Sequence, residues 1–278
     1  MVCVALVGAH AAVAKSIVRC AGDRALPIEW LCATTPEQLE AGFVLLEPSL
    51  LEAADAFVVC FDHPVGRALL ARPPDGRRVI DGVGLTPAAE VWPGAIGPLT
   101  LVVDALRALR PRRGSAVILE SAARFDQAGL DALTEQTRAV FTMRDAPDSP
   151  VEALLAFNVS APESEGSDAW TDRLHGTTRF PWQVTRLQVP TFSGELMVLE
   201  LEVEEAMPTR NEVEALLSEG RTLRLRPGGL ASRDGVDRDD VLVGQVQVDG
   251  ERVRLVGVYD RLRRGSALQV LELLEGLV

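Results

Sequence analysis

Apolar and polar positions change their period along the chain, and the change divides it. Over the first third, short apolar runs alternate with helical patterns. VCVALVG (2–8) reads as a buried strand, AAVAKSIVRCAG (11–22) as a helix closed by Gly22, IEWLCAT (28–34) as a second strand, and AFVVCFD (56–62) as another strand after the helical PSLLEAAD (48–55). Strands separated by short helices are the pattern of βαβ units in a parallel sheet.

Beyond about residue 115 the pattern differs. SAVILESAAR (115–124) is strand-like and DQAGLDALTEQTRAVFTM (126–143) is an amphipathic helix. The polar APESEGSDAWTDRLHGTTRF (161–180) reads as a loop with one helical turn, and QVTRLQVPTFSGELMVLELEVE (183–204) alternates like antiparallel strands. TRNEVEALLSEG (209–220) is a helix with Thr209 as N-cap, LVGQVQVDGERVRLVGVYD (242–260) is a hairpin turning on Asp249-Gly250, and RLRRGSALQVLELLEGLV (261–278) ends the chain as an apolar helix. The expected fold class is therefore α/β. A Rossmann-like parallel-sheet domain (1–115), rejoined by the C-terminal helix (260–278), is followed by an α+β domain (116–259).

Charge narrows the function classes. With 28 Lys and Arg against 40 Asp and Glu, the net charge of −12 argues against nucleic acid and anionic membranes as partners. The basic cluster Arg107–Arg113 is expected to sit at a helix end, against the negative pole of the dipole. In LELEVEEA (199–206) the glutamates are expected to face water on alternate strand positions. No run approaches the roughly 18 apolar residues of a membrane span, and the N-terminus lacks a secretory pattern. Cys3, Cys20, Cys32 and Cys60 form no C-x-x-C pair, which fits a reducing cytoplasm. His10, His63 and His175 show no metal-ligand spacing, so no metal site is expected, and no G-x-S-x-G elbow is present.

VALVGAHAAVAKSIV (4–18), LLAFNVSAP (154–162), RLQVPTFSGE (186–195), DDVLVGQV (239–246) and VYDRLRRGSALQVLELLEGLV (258–278), in that order, carry a family likeness. Together they resemble the bacterial aspartate-semialdehyde dehydrogenases, especially their Usg-type paralogues. The resemblance implies a dinucleotide-binding domain, a second domain whose sheet serves dimerisation, and NADPH-dependent chemistry through a cysteine thioester beside a proton-relaying histidine.

The residues at the implied chemical positions are different ones. Ile96, in WPGAIGPLTLVVDAL (92–106), stands at the nucleophile position and cannot form a thioester. Gln188 stands for the substrate arginine and Glu195 for the histidine. A neutral amide does not grip a carboxylate as a guanidinium does, and an ordinary glutamate holds no proton to give at neutral pH. Arg186, on the same strand face as Gln188, is the candidate substitute. The stretch between VIDG (79–82) and WPGAI (92–96) is also shorter than its counterpart.

On the cofactor side, the positions implied to meet NADP are Gly8, His10, Val13 and Gln269, with Ala11 and Ala14 replacing two glycines of the phosphate turn. Ala11 is expected to put a methyl where pyrophosphate approaches. His10 reads either as a phosphate donor or as a solvated turn residue. Asp62, in CFDHP (60–64), brings a negative charge to the second phosphate-holding element. The expectation is a homodimer with weak or absent NADP binding and no intact catalytic set. It would act on an unidentified protein partner, with Trp170 and Trp182 as candidate anchors; the alternative is a dinucleotide-using enzyme or sensor working without the cysteine.

Overall fold

A computed structural model describes residues 2–39, 42–47, 50–86, 89–92, 94–145, 151, 154–161, 167–204 and 207–276. The chain forms two compact units, Met1–Pro93 with Gly265–Val278, and Gly94–Arg264.

In the first unit, β1 (Val2–Val7), α1 (Ala12–Asp23), β2 (Ile28–Thr34), β3 (Val44–Leu45), α2 (Leu50–Ala53), β4 (Ala56–Val59), α3 (Pro64–Ala71) and β5 (Arg78–Asp81) build a parallel sheet of order β3-β2-β1-β4-β5. Its central strands have no polar face because both sides are covered. Val4 and Leu6 pack with Ile17, Leu268, Leu271 and Leu274, whereas Ala5 and Val7 pack with Phe57 and Leu69. The last helix, α8 (Leu268–Glu275), thus completes this unit, beginning after a π-turn at Arg263–Ala267. The short connection after β5 is closed by the buried Asp81, whose carboxylate accepts from the amides of Val83 and Thr86.

The second unit starts with α4 (Ile96–Ala105), followed by β6 (Pro111–Glu120), α5 (Asp126–Phe141), α6 (Ser167–Thr178), β7 (Trp182–Gln188), β8 (Gly194–Val203), α7 (Arg210–Glu219), β9 (Leu223–Leu225), β10 (Val241–Asp249) and β11 (Arg252–Asp260). Its sheet has the order β7-β6-β8-β11-β10-β9 and is mixed, with parallel pairing at both edges (β6 with β7, β9 with β10) and antiparallel pairing between. The units divide at residues 93/94, earlier than the 115/116 boundary read from the sequence, and at 264/265, later than the 259/260 boundary. The difference is α4, which packs on α6 and α7.

Three further expectations are corrected. Residues 167–178 form a full helix where a loop with one helical turn was expected; among the described side chains Leu174 is its one fully buried aliphatic anchor, so its apolar pattern is faint. β7 and β8 alternate as expected but are not neighbours. The link between them passes over the end of β6, where Val189 donates to the Glu120 carbonyl and Ala122 and Ala123 donate to Thr191 and Phe192. The Arg107–Arg113 cluster does not end a helix as a unit: Arg112 lies on β6 and pairs with Glu202 and Glu251, and Arg110 pairs with Glu204. The basic and acidic runs answer each other. Thr209 caps α7 as expected, Glu212 reaches back to complete a reciprocal cap, and the β10–β11 hairpin turns at Gly250.

Candidate functional site

The turn after β1 is built around Gly8, whose φ of +96° lies in the region glycine favours. A Cβ there would sit 2.1 Å from Cδ1 of Phe61, so the close approach that the bare backbone allows is taken up by an aromatic ring. Phe61 is flanked by His10, edge-on at 4.8 Å, and by His63, stacked at 5.1 Å. His10 shares a 2.7 Å hydrogen bond between Nδ1 and the Thr34 hydroxyl. His63 caps α3 by accepting from the Val65 amide.

The backbone of the turn is also engaged. The amides of Gly8 and Ala9 both donate to the Ala33 carbonyl, and that of Ala11 donates to Gly8. Ala11, Val13 and Ala14 are buried in the core beneath α1. The methyl of Ala11 thus faces the core, and the side chain that lies against the bare backbone of Gly8 is Phe61. Asp62 is held by both ends of its carboxylate on Arg67, at 2.6 and 2.7 Å, and the Arg67 guanidinium keeps it below the usual carboxylate range. Gln269 grips the backbone of Trp92, accepting from its N–H and donating to its carbonyl.

In the second unit the implied catalytic positions converge on the end of β6. Because the 189–193 link crosses that end, Gln188 at the close of β7 and Glu195 at the start of β8 flank Glu120 and Ser121. Glu195 is fully buried on the inner face of β8. Its Oε1 accepts from the Ser121 amide and hydroxyl, both at 3.1 Å, and from Arg261 Nη1 at 2.9 Å. Its Oε2 accepts from the Tyr259 hydroxyl at 2.6 Å. Burial and the adjacent carboxylate push the Tyr259 phenol well above its ordinary range. Burial works against the charge of Arg261, yet Glu195 and Glu120 hold its proton more tightly than usual.

Glu120 is the second buried carboxylate. Arg186 binds it through two contacts, Nε at 3.1 Å and Nη2 at 2.9 Å, and Arg124 adds Nη1 at 3.1 Å. Arg124 is pulled down, first by burial and then by Arg186 and Arg261. Arg186 shares the face of Gln188, as expected, but its charge is already committed to Glu120, and its guanidinium lies 4.5 Å over the Trp170 ring. It is not a spare substrate clamp. Gln188, 2 % exposed, donates to the carbonyls of Glu120 and Val189, while its Oε1 meets no partner among the described residues.

Ile96 is the first residue of α4 and is 2 % exposed. Gly94, with φ +77°, lies so close to Arg261 that a Cβ would sit 2.7 Å from its Nη1. The helix start that carries Ile96 therefore abuts the guanidinium that holds Glu195. The thiols of Cys3 and Cys32, in the first unit, are raised by burial, away from a reactive thiolate. Of the two tryptophans, Trp182 is buried against Phe180 and Gly114, which removes it as an exposed anchor.

Sequence reading reached Gln188, Glu195 and Ile96 but missed Glu120, Ser121, Arg124, Tyr259 and Arg261. One signal was available: Glu120 falls on the inward, apolar phase of β6, where a carboxylate demands a partner.

No protein-family model and no curated protein sequence matches the chain. Solved structures do. An aspartate semialdehyde dehydrogenase II from Vibrio cholerae, complexed with ASA, superposes with a TM-score of 0.85 at 18% identity, over 99% of this chain and 97% of that one. A probable aspartate-semialdehyde dehydrogenase from Pseudomonas aeruginosa gives 0.85 at 21% identity, over 99% and 98%. An aspartate semialdehyde dehydrogenase from Francisella tularensis gives 0.75 at 12% identity over the full length of both. The fold is thus the two-domain α/β fold of these dehydrogenases. Among the described residues there is no helix long and apolar enough to cross a membrane, and no metal-binding group of His, Cys, Asp and Glu.

Proposed function

We propose that this chain carries the aspartate-semialdehyde dehydrogenase fold without its chemistry and serves as a homodimeric interaction or regulatory protein. The observation that carries the reading is Glu195. At the position where the resemblance implies a proton-relaying histidine, both carboxylate oxygens are engaged by Ser121, Tyr259 and Arg261. A relay needs a group that exchanges a proton with substrate, and a carboxylate buried and engaged at both oxygens is not placed to do so. Ile96 supplies no nucleophile, and Gln188 no charge.

The dimer reading draws on the second sheet. Val117, Leu119, Leu187, Leu196, Val198 and Val256 alternate with buried residues and are left partly exposed on its other face. Such an apolar sheet face favours association with a second copy. Light scattering on the purified protein is expected to give a dimer, and Val198→Arg a monomer; a monomeric parent chain contradicts the reading.

The enzymatic test is direct. Purified protein given NADP, phosphate and aspartate semialdehyde is expected to form no NADPH above a protein-free blank. Turnover comparable with that of an ordinary dehydrogenase overturns the proposal. The persistence of the β1–Gly8–α1 turn favours a second reading, a dinucleotide sensor. Saturable NADP binding at micromolar concentration supports that sensor, and no thermal shift at millimolar NADP removes it.

A further inference from the structure

A cavity of about 460 Å³ opens in the second unit where the loop after β9 folds across β10, a volume within the range of about 300–1,000 Å³ typical of small-molecule sites. Its wall combines Arg210 and Arg226 with Gly228, Gly229, Gln245 and Gln247 over an apolar floor of Leu225, Pro227 and Val246. The backbone is shaped for this approach. Gly244 has no room for a side chain, because a Cβ would lie 2.6 Å from the Arg226 carbonyl oxygen. The ladder between β10 and β11 is irregular between Gly244 and Gln247, and Gln245 there takes a φ of +52°. A side-chain-bearing residue in that region is strained, and strained bulges concentrate at functional sites.

The cavity is rich in uncommitted donors. Arg226 reaches Asp234 through Nη1, and Arg210 reaches Glu214 through Nε, so both guanidinium forks keep further N–H groups. The amides of Gly228, with φ +93°, and Gly229 meet no acceptor among the described residues, and a Cβ on either would face open space. Successive amides at a glycine turn beside arginines make an anion-binding concavity. Two guanidiniums line it against one carboxylate, Glu214, in a chain whose net charge is −12.

We propose that this cavity binds a small organic oxyanion, with the phosphate or carboxylate group on Arg226, Arg210 and the Gly228–Gly229 amides and an apolar body on Leu225, Pro227 and Val246. The site shares no residue with the Glu195 network, so it stands or falls separately from the proposed loss of catalysis.

Calorimetric titration of the intact protein with phenyl phosphate, benzoate and benzyl alcohol tests it. Saturable binding of at least one oxyanion, absent for the alcohol, is expected, and the tighter of the two tells phosphate from carboxylate recognition. Arg226→Gln is expected to weaken it by about tenfold or more, and Arg210→Gln, on the separate helix α7, to weaken it in the same direction. Both variants are expected to keep the parent melting temperature within about a degree or two, because both side chains lie at the surface and each makes one surface ion pair. Failure of both oxyanions to bind at millimolar concentration, equal binding of benzyl alcohol, or unchanged affinity in both variants overturns the proposal.

Discussion

The turn after β1 and the end of β6 both stand where the resemblance implies chemistry, and each is filled in a different physical way. At the turn, one side chain does it: Phe61 lies against Gly8, while the amides of Gly8, Ala9 and Ala11 bond to backbone carbonyls around it. At β6, two buried carboxylates and three arginines interlock, with Tyr259 and Ser121 completing the hydrogen bonds. Packing of one ring is undone by one substitution. An interlocked set of buried charges is not, because removing any member strands another in a medium that penalises it.

The largest expected effect follows from that contrast. Glu195→Gln leaves Arg261 without its main partner and is expected to destabilise the protein by about 3–5 kcal/mol in denaturant melts. Combining it with Arg261→Met is expected to restore most of the loss. An additive or larger loss in the double variant would mean that the pair is not coupled.

Next is Gly8→Ala. Backbone strain at positive φ costs about 1–3 kcal/mol by itself, and the clash with Phe61 adds to it. Phe61→Ala in the same chain is expected to remove the clash and leave the backbone strain. Equal effects of Gly8→Ala with and without Phe61 would show that the ring does not close the turn.

A smaller effect separates the buried network from the surrounding surface pairs. Arg238 and Arg224 hold the Asp240 carboxylate below its ordinary range although burial raises it. Its folded pKa lies below the unfolded value, so its stabilising contribution is present above about pH 3.8 and is lost as pH falls through the folded value. Hydrogen-exchange protection at the start of β10, relative to the intrinsic rate at each pH, is expected to fall below about pH 4. Asp240→Asn is expected to remove that pH dependence, and an unchanged profile would contradict the assignment.

The sequence made the fold legible wherever local signals and burial agreed. The strand run before Gly8, the Thr209 cap and the Asp249-Gly250 turn each carried a local chemical reason for their structure. The helix at 167–178 did not, because tertiary contacts support it: Leu174 is buried, and Trp170 lies under Arg186. The site was legible as a set of substituted positions, not as a network. Glu120, Glu195 and Tyr259 lie on three different strands, with Arg261 just past the end of the third, and the order β6-β8-β11 brings them together. Ala11 misled for a related reason, since spacing gives its place in the turn but not which way its methyl faces.

The chain has a single tyrosine, Tyr259, and it sits inside the network. Phenolate absorbance across an alkaline titration therefore reports on that site alone. Burial and Glu195 raise its folded pKa above the unfolded value of about 10, so its contribution is complete below that pH and is lost as pH rises through the folded value. The account predicts no phenolate signal near pH 10 while far-UV circular dichroism stays native, with ionisation appearing only together with unfolding at higher pH. Reversible ionisation near pH 10 in the folded protein would contradict it, because the phenol would then be solvated and Glu195 would not be sealed.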